Sequence, residues 1–188
     1  MDVMADNEPV WKLRWLDLLW ILAYPVYQIL GTIRHEGSHA LAASMEGADV
    51  TKFVIYPQTD LGRFTWGYTS WTGGSPGWFT DAAPYLCDLV WFAIFFVLIT
   101  RVNWKTHWIW LNLVILGLLS PLVNSFSQWM VGSFGSKQSD VAKWLAAGPD
   151  ALIHLYFLIT VTTYALGIVI AMWRVPKLFA DAVLPASA

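Results

Sequence analysis

The sequence predicts an all-α integral membrane protein with about four transmembrane helices and a small β-hairpin segment between the first and second. Hydrophobic residues make up 57% of the chain and charged residues only 13%, about half the charged share of an ordinary soluble domain. Thirteen Trp are present, and their amphipathic rings collect where a membrane meets water. We therefore expect one membrane domain over residues 1–188, with the lipid bilayer as its surroundings.

Each predicted span is an apolar run of the length that a bilayer requires, about 20 helical residues. The runs cover about 14–44, 81–100, 107–131 and 150–173. With four spans, the loops 45–80 and 132–149 lie on one face and both termini on the other. Basic residues number six on the terminal face and four opposite, a difference too small to fix the orientation. The net charge of −2 and the lack of a Lys/Arg run argue against a nucleic-acid partner.

Loop 45–80 has two segments with strand character. Val50 to Tyr56 (VTKFVIY) is typical of a β-strand, and Gly62 to Trp71 (GRFTWGYTSW) alternates in the same way. The Gly-rich stretch from Trp71 to Gly77 predicts a loop that leads into the second span. A small hairpin or sheet is therefore expected before the second helix.

The first span ends in a metal-binding pattern, His35-Glu36-Gly37-Ser38-His39. Two His four residues apart on a helix project from one face, so both imidazoles can bind one metal ion. Glu36 is rotated about 100° from His35, so it can act as general base towards a water held by the metal. Ionisable side chains in an apolar helix are costly and usually functional, which favours this interpretation over a polar cap at the helix end.

The segment HEGSHALAA, at the end of a hydrophobic helix, resembles the site-2 protease family of intramembrane zinc metalloproteases. The β-rich segment after the motif and the helix that opens with Ala83-Pro84 are similar as well. The family's Leu-Asp-Gly signature is missing, and Ser38 stands where Gly is usual. The resemblance implies a zinc cofactor held by His35 and His39, with Glu36 as the catalytic base.

A catalytic zinc takes three protein ligands, so a third ligand residue must lie on the same face of the membrane as the motif. Asp140 is the first choice, because Ser139 to Leu145 resembles the family segment that carries this ligand. Asp140 could instead cap a short helix over 141–147. Asp88 is the second choice, since an acid inside an apolar helix needs a partner and could also orient a ligand imidazole. The remaining candidates are Asp81, Asn124 and His154.

Two functions are consistent with these features. The first is an intramembrane zinc metalloendopeptidase that hydrolyses a peptide bond in a membrane-embedded or juxtamembrane segment of another membrane protein. The alternative is a non-catalytic structural or assembly subunit, in which a metalloprotease-like scaffold binds neighbouring membrane subunits. Replacing Glu36 by Gln distinguishes them, because only a protease needs the carboxylate.

Overall fold

A computed structural model describes residues 19–60, 63–102 and 107–180. The chain is mostly helical, as predicted, and its strands lie between the first two helices. The helices are α1 (Leu19–Met45), α2 (Trp78–Arg101), α3 (His107–Val114), α4 (Ser120–Phe134), α5 (Asp140–Ala147) and α6 (Asp150–Ala180), and a π-helical turn, Ile115–Leu119, joins α3 to α4.

Within the described residues, three stretches of helix are long and apolar enough to cross a membrane: Trp78–Arg101, Ile109–Phe134 and Asp150–Arg174. They correspond to three of the predicted spans and identify a membrane protein. Helix α1 has 27 residues, a sufficient length. Its described part is not among the three, because Gln28, Arg34, Glu36 and two His reduce its apolar character. The predicted count of four is therefore not confirmed, and residues 14–18 lie outside the described part of the chain.

The segment between α1 and α2 contains four short strands, β1 (Asp49–Val54), β2 (Gln58–Asp60), β3 (Arg63–Thr65) and β4 (Tyr68–Thr72). β1 pairs antiparallel with β4, and β2 with β3, so the predicted hairpin is present. The second predicted alternating run, Gly62 to Trp71, forms two strands, β3 and β4, which are separated at Gly67. A Cβ at this position would lie 2.4 Å from the Thr32 side chain, so glycine lets the hairpin pack directly on α1.

Two clusters of buried residues hold the helices together. One lies between α2, the α3–α4 helix and α6, and includes Phe92, Trp110 and Tyr164. The other packs α5 against α2 and α6 through residues that include Tyr85 and Trp144, whose rings are stacked. The second cluster fixes the start of α5, and therefore Asp140, next to the end of α1.

The π-helical turn ends two residues before Pro121, which has no N–H to donate to the helix. Backbone carbonyls released at such a turn need other donors inside a membrane. Trp91 of α2 supplies one, because its indole N–H donates to the Leu116 carbonyl over 3.1 Å. The same indole ring lies beneath the Arg34 guanidinium, at 5.7 Å from the ring centroid. Trp91 thus joins the irregular helix to the polar end of α1.

Candidate metal centre

His35 and His39 project from the same face of α1, as their spacing predicts, with ring centroids 5.0 Å apart. The start of α5 brings Asp140 against both rings. Its Oδ2 lies 3.1 Å from Nε2 of His39 and 3.5 Å from Nε2 of His35. Among the described residues, these three side chains form a group of possible metal ligands with all ligand atoms within 4.8 Å of one another.

The two distances from Asp140 to the imidazole nitrogens fit a zinc ion. Nitrogen and oxygen ligands lie about 2.0–2.2 Å from zinc, so two ligand atoms of a tetrahedral site are about 3.3 Å apart. The separations of Asp140 Oδ2 from the two Nε2 atoms, 3.1 and 3.5 Å, bracket that value. Two imidazoles and one carboxylate also form a donor set typical of catalytic zinc, with one position left for water or substrate. The assignment of these residues as ligands nevertheless stays a prediction.

The interpretation of Asp140 as a helix cap is wrong. The cap of α5 is Ser139, whose hydroxyl accepts a hydrogen bond from the Ala142 N–H over 3.2 Å. Asp140 is the first helical residue, and this frees its carboxylate to face the imidazoles. Burial raises the pKa of Asp140, but hydrogen bonds from His35 and His39 outweigh it and hold the pKa well below its usual range. Asp140 is therefore an anion at neutral pH, as a metal ligand must be.

The other ring nitrogen of His39 is held by the backbone. Nδ1 donates to the carbonyl oxygen of Thr80, in the first turn of α2, over 2.8 Å. With Nδ1 as the donor, a metal ion between the ring and Asp140 would take the place of the Nε2 proton and bind the Nε2 lone pair. His39 is only 4% exposed and Thr80 only 1%, so water does not compete for this contact.

Behind His35 lies a polar network that links three helices. The amide nitrogen of Asn124 is 3.4 Å from Nδ1 of His35 and donates to Oδ2 of Asp88 over 2.8 Å. Oδ1 of Asp88 in turn pairs with Nε of Arg34 at 2.7 Å. Arg34 also donates to the Ser120 hydroxyl over 3.2 Å. Arg34 is therefore the partner that a buried acid such as Asp88 requires. Asp88 does not belong to the group of possible metal ligands.

Glu36 is half-buried and contacts the hairpin. The hydroxyl of Thr69, on β4, lies 2.9 Å from Glu36 Oε2 and 3.1 Å from the Glu36 carbonyl oxygen. The aromatic ring of Trp71, on the same strand, lies 6.4 Å from the ring of His39. One edge of β4 pairs with β1, and its other edge pairs with no strand in the described ranges. The strand that carries this edge therefore lies beside the group formed by His35, His39 and Asp140.

His154 is remote from the group and accepts a hydrogen bond from the Trp129 indole over 3.0 Å. Asp81 is next to Thr80 at the start of α2 and does not belong to the group either. The sequence reasoning missed Thr69 and Thr80. Nothing in the sequence distinguishes either residue. Thr80 acts through its backbone carbonyl, and Thr69 acts through a strand pairing that brings it to α1.

The chain matches the Peptidase M50B-like family over residues 12–183. It therefore belongs to this family, which confirms the resemblance to site-2 proteases inferred from HEGSHALAA. No curated protein and no solved structure matches the chain.

Proposed function

We propose that the protein is an intramembrane zinc metalloendopeptidase that cleaves a peptide bond in a membrane-embedded or juxtamembrane segment of another membrane protein. The observation that carries the proposal is the meeting of His35, His39 and Asp140 within 4.8 Å, with Glu36 on the same helix. Membership of the Peptidase M50B-like family supports it.

His35, His39 and Asp140 would hold the zinc ion through two Nε2 atoms and one carboxylate oxygen. When bound, zinc lowers the pKa of a water molecule and polarises a peptide carbonyl. Glu36 takes a proton from the attacking water while the oxygen of that water bonds to the carbonyl carbon of the substrate. The same carboxyl group then passes the proton to the leaving nitrogen as the C–N bond breaks. The Thr69 hydroxyl, which lies within hydrogen-bond distance of Oε2, helps to position the Glu36 carboxylate.

A substrate must be unwound before its peptide bond can react, because a helix shields its scissile bonds. The free edge of β4 offers backbone donors and acceptors to such an extended segment. Thr69 and Trp71 of this strand contact Glu36 and approach His39, which supports a substrate position across the metal centre. We further propose that α1 is a fourth span in a multi-pass arrangement, with the buried Arg34–Asp88 pair compensating its charge.

The test compares the purified wild-type chain with Glu36→Gln and His39→Ala in detergent micelles or nanodiscs. We expect about one zinc per chain for the wild type and for Glu36→Gln, and a large loss of zinc for His39→Ala. Cleavage of a candidate membrane substrate should be abolished in both variants. Gln keeps the shape of Glu36 but cannot accept the proton of the attacking water.

The matched control is Asp49→Asn, an exposed carboxylate on β1, which should change neither zinc content nor cleavage. Cleavage retained by Glu36→Gln would exclude Glu36 as the base. If Glu36→Gln preserves the protein's role in a membrane complex and the wild type cleaves nothing, the structural-subunit interpretation replaces this one.

A further inference from the structure

The Thr80 carbonyl that accepts from His39 lies inside a helix, where carbonyls normally accept from the N–H four residues later. The residue four positions after Thr80 is Pro84, which has no N–H. The Thr80 carbonyl is therefore excluded from the regular hydrogen-bond ladder of α2. Buried backbone carbonyls require a partner, and the partner here is Nδ1 of His39, 2.8 Å away.

Thr80 is also held through its side chain. Its hydroxyl donates to Oε2 of Glu46, the residue that follows α1. The Gly77 N–H donates to the same oxygen over 3.0 Å. Glu46 thereby fastens the first turn of α2 to the end of α1, the helix that carries His39. The hydrogen bond from Thr80 and those from the backbone lower the pKa of Glu46, so the carboxylate is charged at neutral pH.

The loop before α2 is shaped to make this contact. Gly73 and Gly74 have φ of +68° and +62°, values that residues with a Cβ rarely adopt. A Cβ on Gly74 would lie 2.5 Å from the Ala48 nitrogen, so only glycine permits the loop to pack on the turn that follows α1. The Ser75 N–H adds a hydrogen bond to the Glu46 carbonyl, over 3.4 Å.

We propose that Pro84 and Glu46 are positioning residues of the metal centre: Pro84 reserves the Thr80 carbonyl for His39, and Glu46 holds that carbonyl in place. Among the described hydrogen bonds and ion pairs, none joins Pro84 or Glu46 directly to His35, His39 or Asp140. Both act through Thr80, which fixes the orientation of the His39 ring and keeps the lone pair on Nε2. The inference rests on the proposed function, because it assigns His39 to a zinc ion.

The decisive variant is Pro84→Ala in the full chain. Alanine restores an N–H that competes with His39 for the Thr80 carbonyl and draws this carbonyl back into the helical ladder. We expect zinc affinity, measured by competition with a chromophoric chelator, to fall by about tenfold, as is typical when the partner of a ligand imidazole is perturbed. The absorption spectrum of the Co²⁺-loaded protein should change as well, because the ring orientation changes.

Pro25→Ala is the matched control, since Pro25 also lies inside a helix, α1, but is exposed and away from the site. It should leave zinc affinity and the Co²⁺ spectrum unchanged. A merely structural role for Pro84 predicts a change in thermal stability with wild-type zinc affinity and spectrum, and that result would overturn the inference.

A second pair of variants covers the case in which Pro84→Ala does not fold. Glu46→Ala removes both contacts and should weaken zinc binding by about tenfold. Glu46→Gln keeps one acceptor oxygen for Thr80 and Gly77, so its affinity should stay within about threefold of wild type. Equal zinc affinity for Glu46→Ala and wild type would reject the role of Glu46.

The outcomes separate this inference from the proposed function. Wild-type zinc binding with unaltered affinity in Pro84→Ala and Glu46→Ala overturns the inference alone. Weakened zinc binding in these variants, together with a wild type that cleaves no substrate, supports the inference and rejects the protease. A wild-type chain that binds no zinc overturns both.

Discussion

His35 and His39 lie one turn apart on α1, yet the contacts behind the two rings differ in kind. His39 donates to a neutral backbone carbonyl, that of Thr80, at the loop end of the helices. His35 faces the amide of Asn124, which is held by a buried ion pair, Arg34–Asp88, between the helices. One ring is thus supported by backbone geometry and the other by charge.

The two kinds of support fail in different ways. No side-chain substitution removes the Thr80 carbonyl, and substitutions at Pro84 or Glu46 only displace it, so the His39 ring should lose its orientation gradually. An ion pair in a low-dielectric interior is balanced only while both partners are present. The side chain of Asp88 is 1% exposed and that of Arg34 is 8% exposed, so neither can turn to water when the other is removed. We therefore expect the largest effects on the His35 side.

The largest effect should come from Asp88→Ala. The substitution leaves the Arg34 charge buried without its carboxylate partner, and breaking such a pair typically costs about 3–5 kcal/mol. It also releases Asn124 from the position that faces His35. The free energy of unfolding, measured by titration with a denaturing detergent in mixed micelles, should fall by this amount.

The double variant Arg34→Met with Asp88→Leu is the control for unpaired charge. It removes both charges at similar volume, so it should be more stable than Asp88→Ala alone. If Asp88→Ala and the double variant lose the same free energy, the cost comes from packing and the distinction between the two sides of the centre does not hold.

These differences also mark how far the sequence could predict the centre. The spacing of His35 and His39 is local, so a regular helix is enough to place both on one face. Asp140 was indicated by its segment, and the structure adds the physical reason: Ser139 takes the cap and Asp140 is left to face the rings. Neither prediction needed the packing of α2.

The supporting contacts could not be predicted in this way. Thr80 acts through its backbone carbonyl, an atom that every residue carries, and its role depends on Pro84 and on the packing of α2 beside α1. The helices were predicted from apolar runs because hydrophobicity alone decides them. The first predicted span is the one that the described residues do not confirm, since the polar residues of the site reduce the apolar character of α1.

A smaller effect is expected from Thr69→Val, in the hairpin strand β4 beside the metal centre. The variant keeps the side-chain shape and removes the hydroxyl that donates to Glu36. In the proposed reaction kcat should fall about fivefold, the equivalent of about 1 kcal/mol for one hydrogen bond. Zinc affinity should not change.

The matched control is Thr51→Val, which removes an exposed hydroxyl that donates to the Ser70 carbonyl on the same hairpin. A fall in zinc affinity for Thr69→Val would show that the hairpin supports the metal ligands as well as the base.

The smallest effect should come from Lys143→Met, on the exposed surface of α5 next to the metal centre. Nζ of Lys143 lies 3.2 Å from Oδ1 of Asp140, the oxygen that does not face the imidazoles, and this lysine is 48% exposed. An ion pair that is open to water contributes at most about 1 kcal/mol, so the stability should change little. Removing a positive charge beside the site should nevertheless strengthen zinc binding, by about twofold at low ionic strength, and salt should erase the gain because it screens exposed charges. Zinc affinity measured at low and high salt checks this, and Lys137→Met, which removes a neighbouring loop cation, is the control. Weaker zinc binding in Lys143→Met would mean that the lysine holds Asp140 in position. The support of Asp140 would then depend on charge, as the support of His35 does.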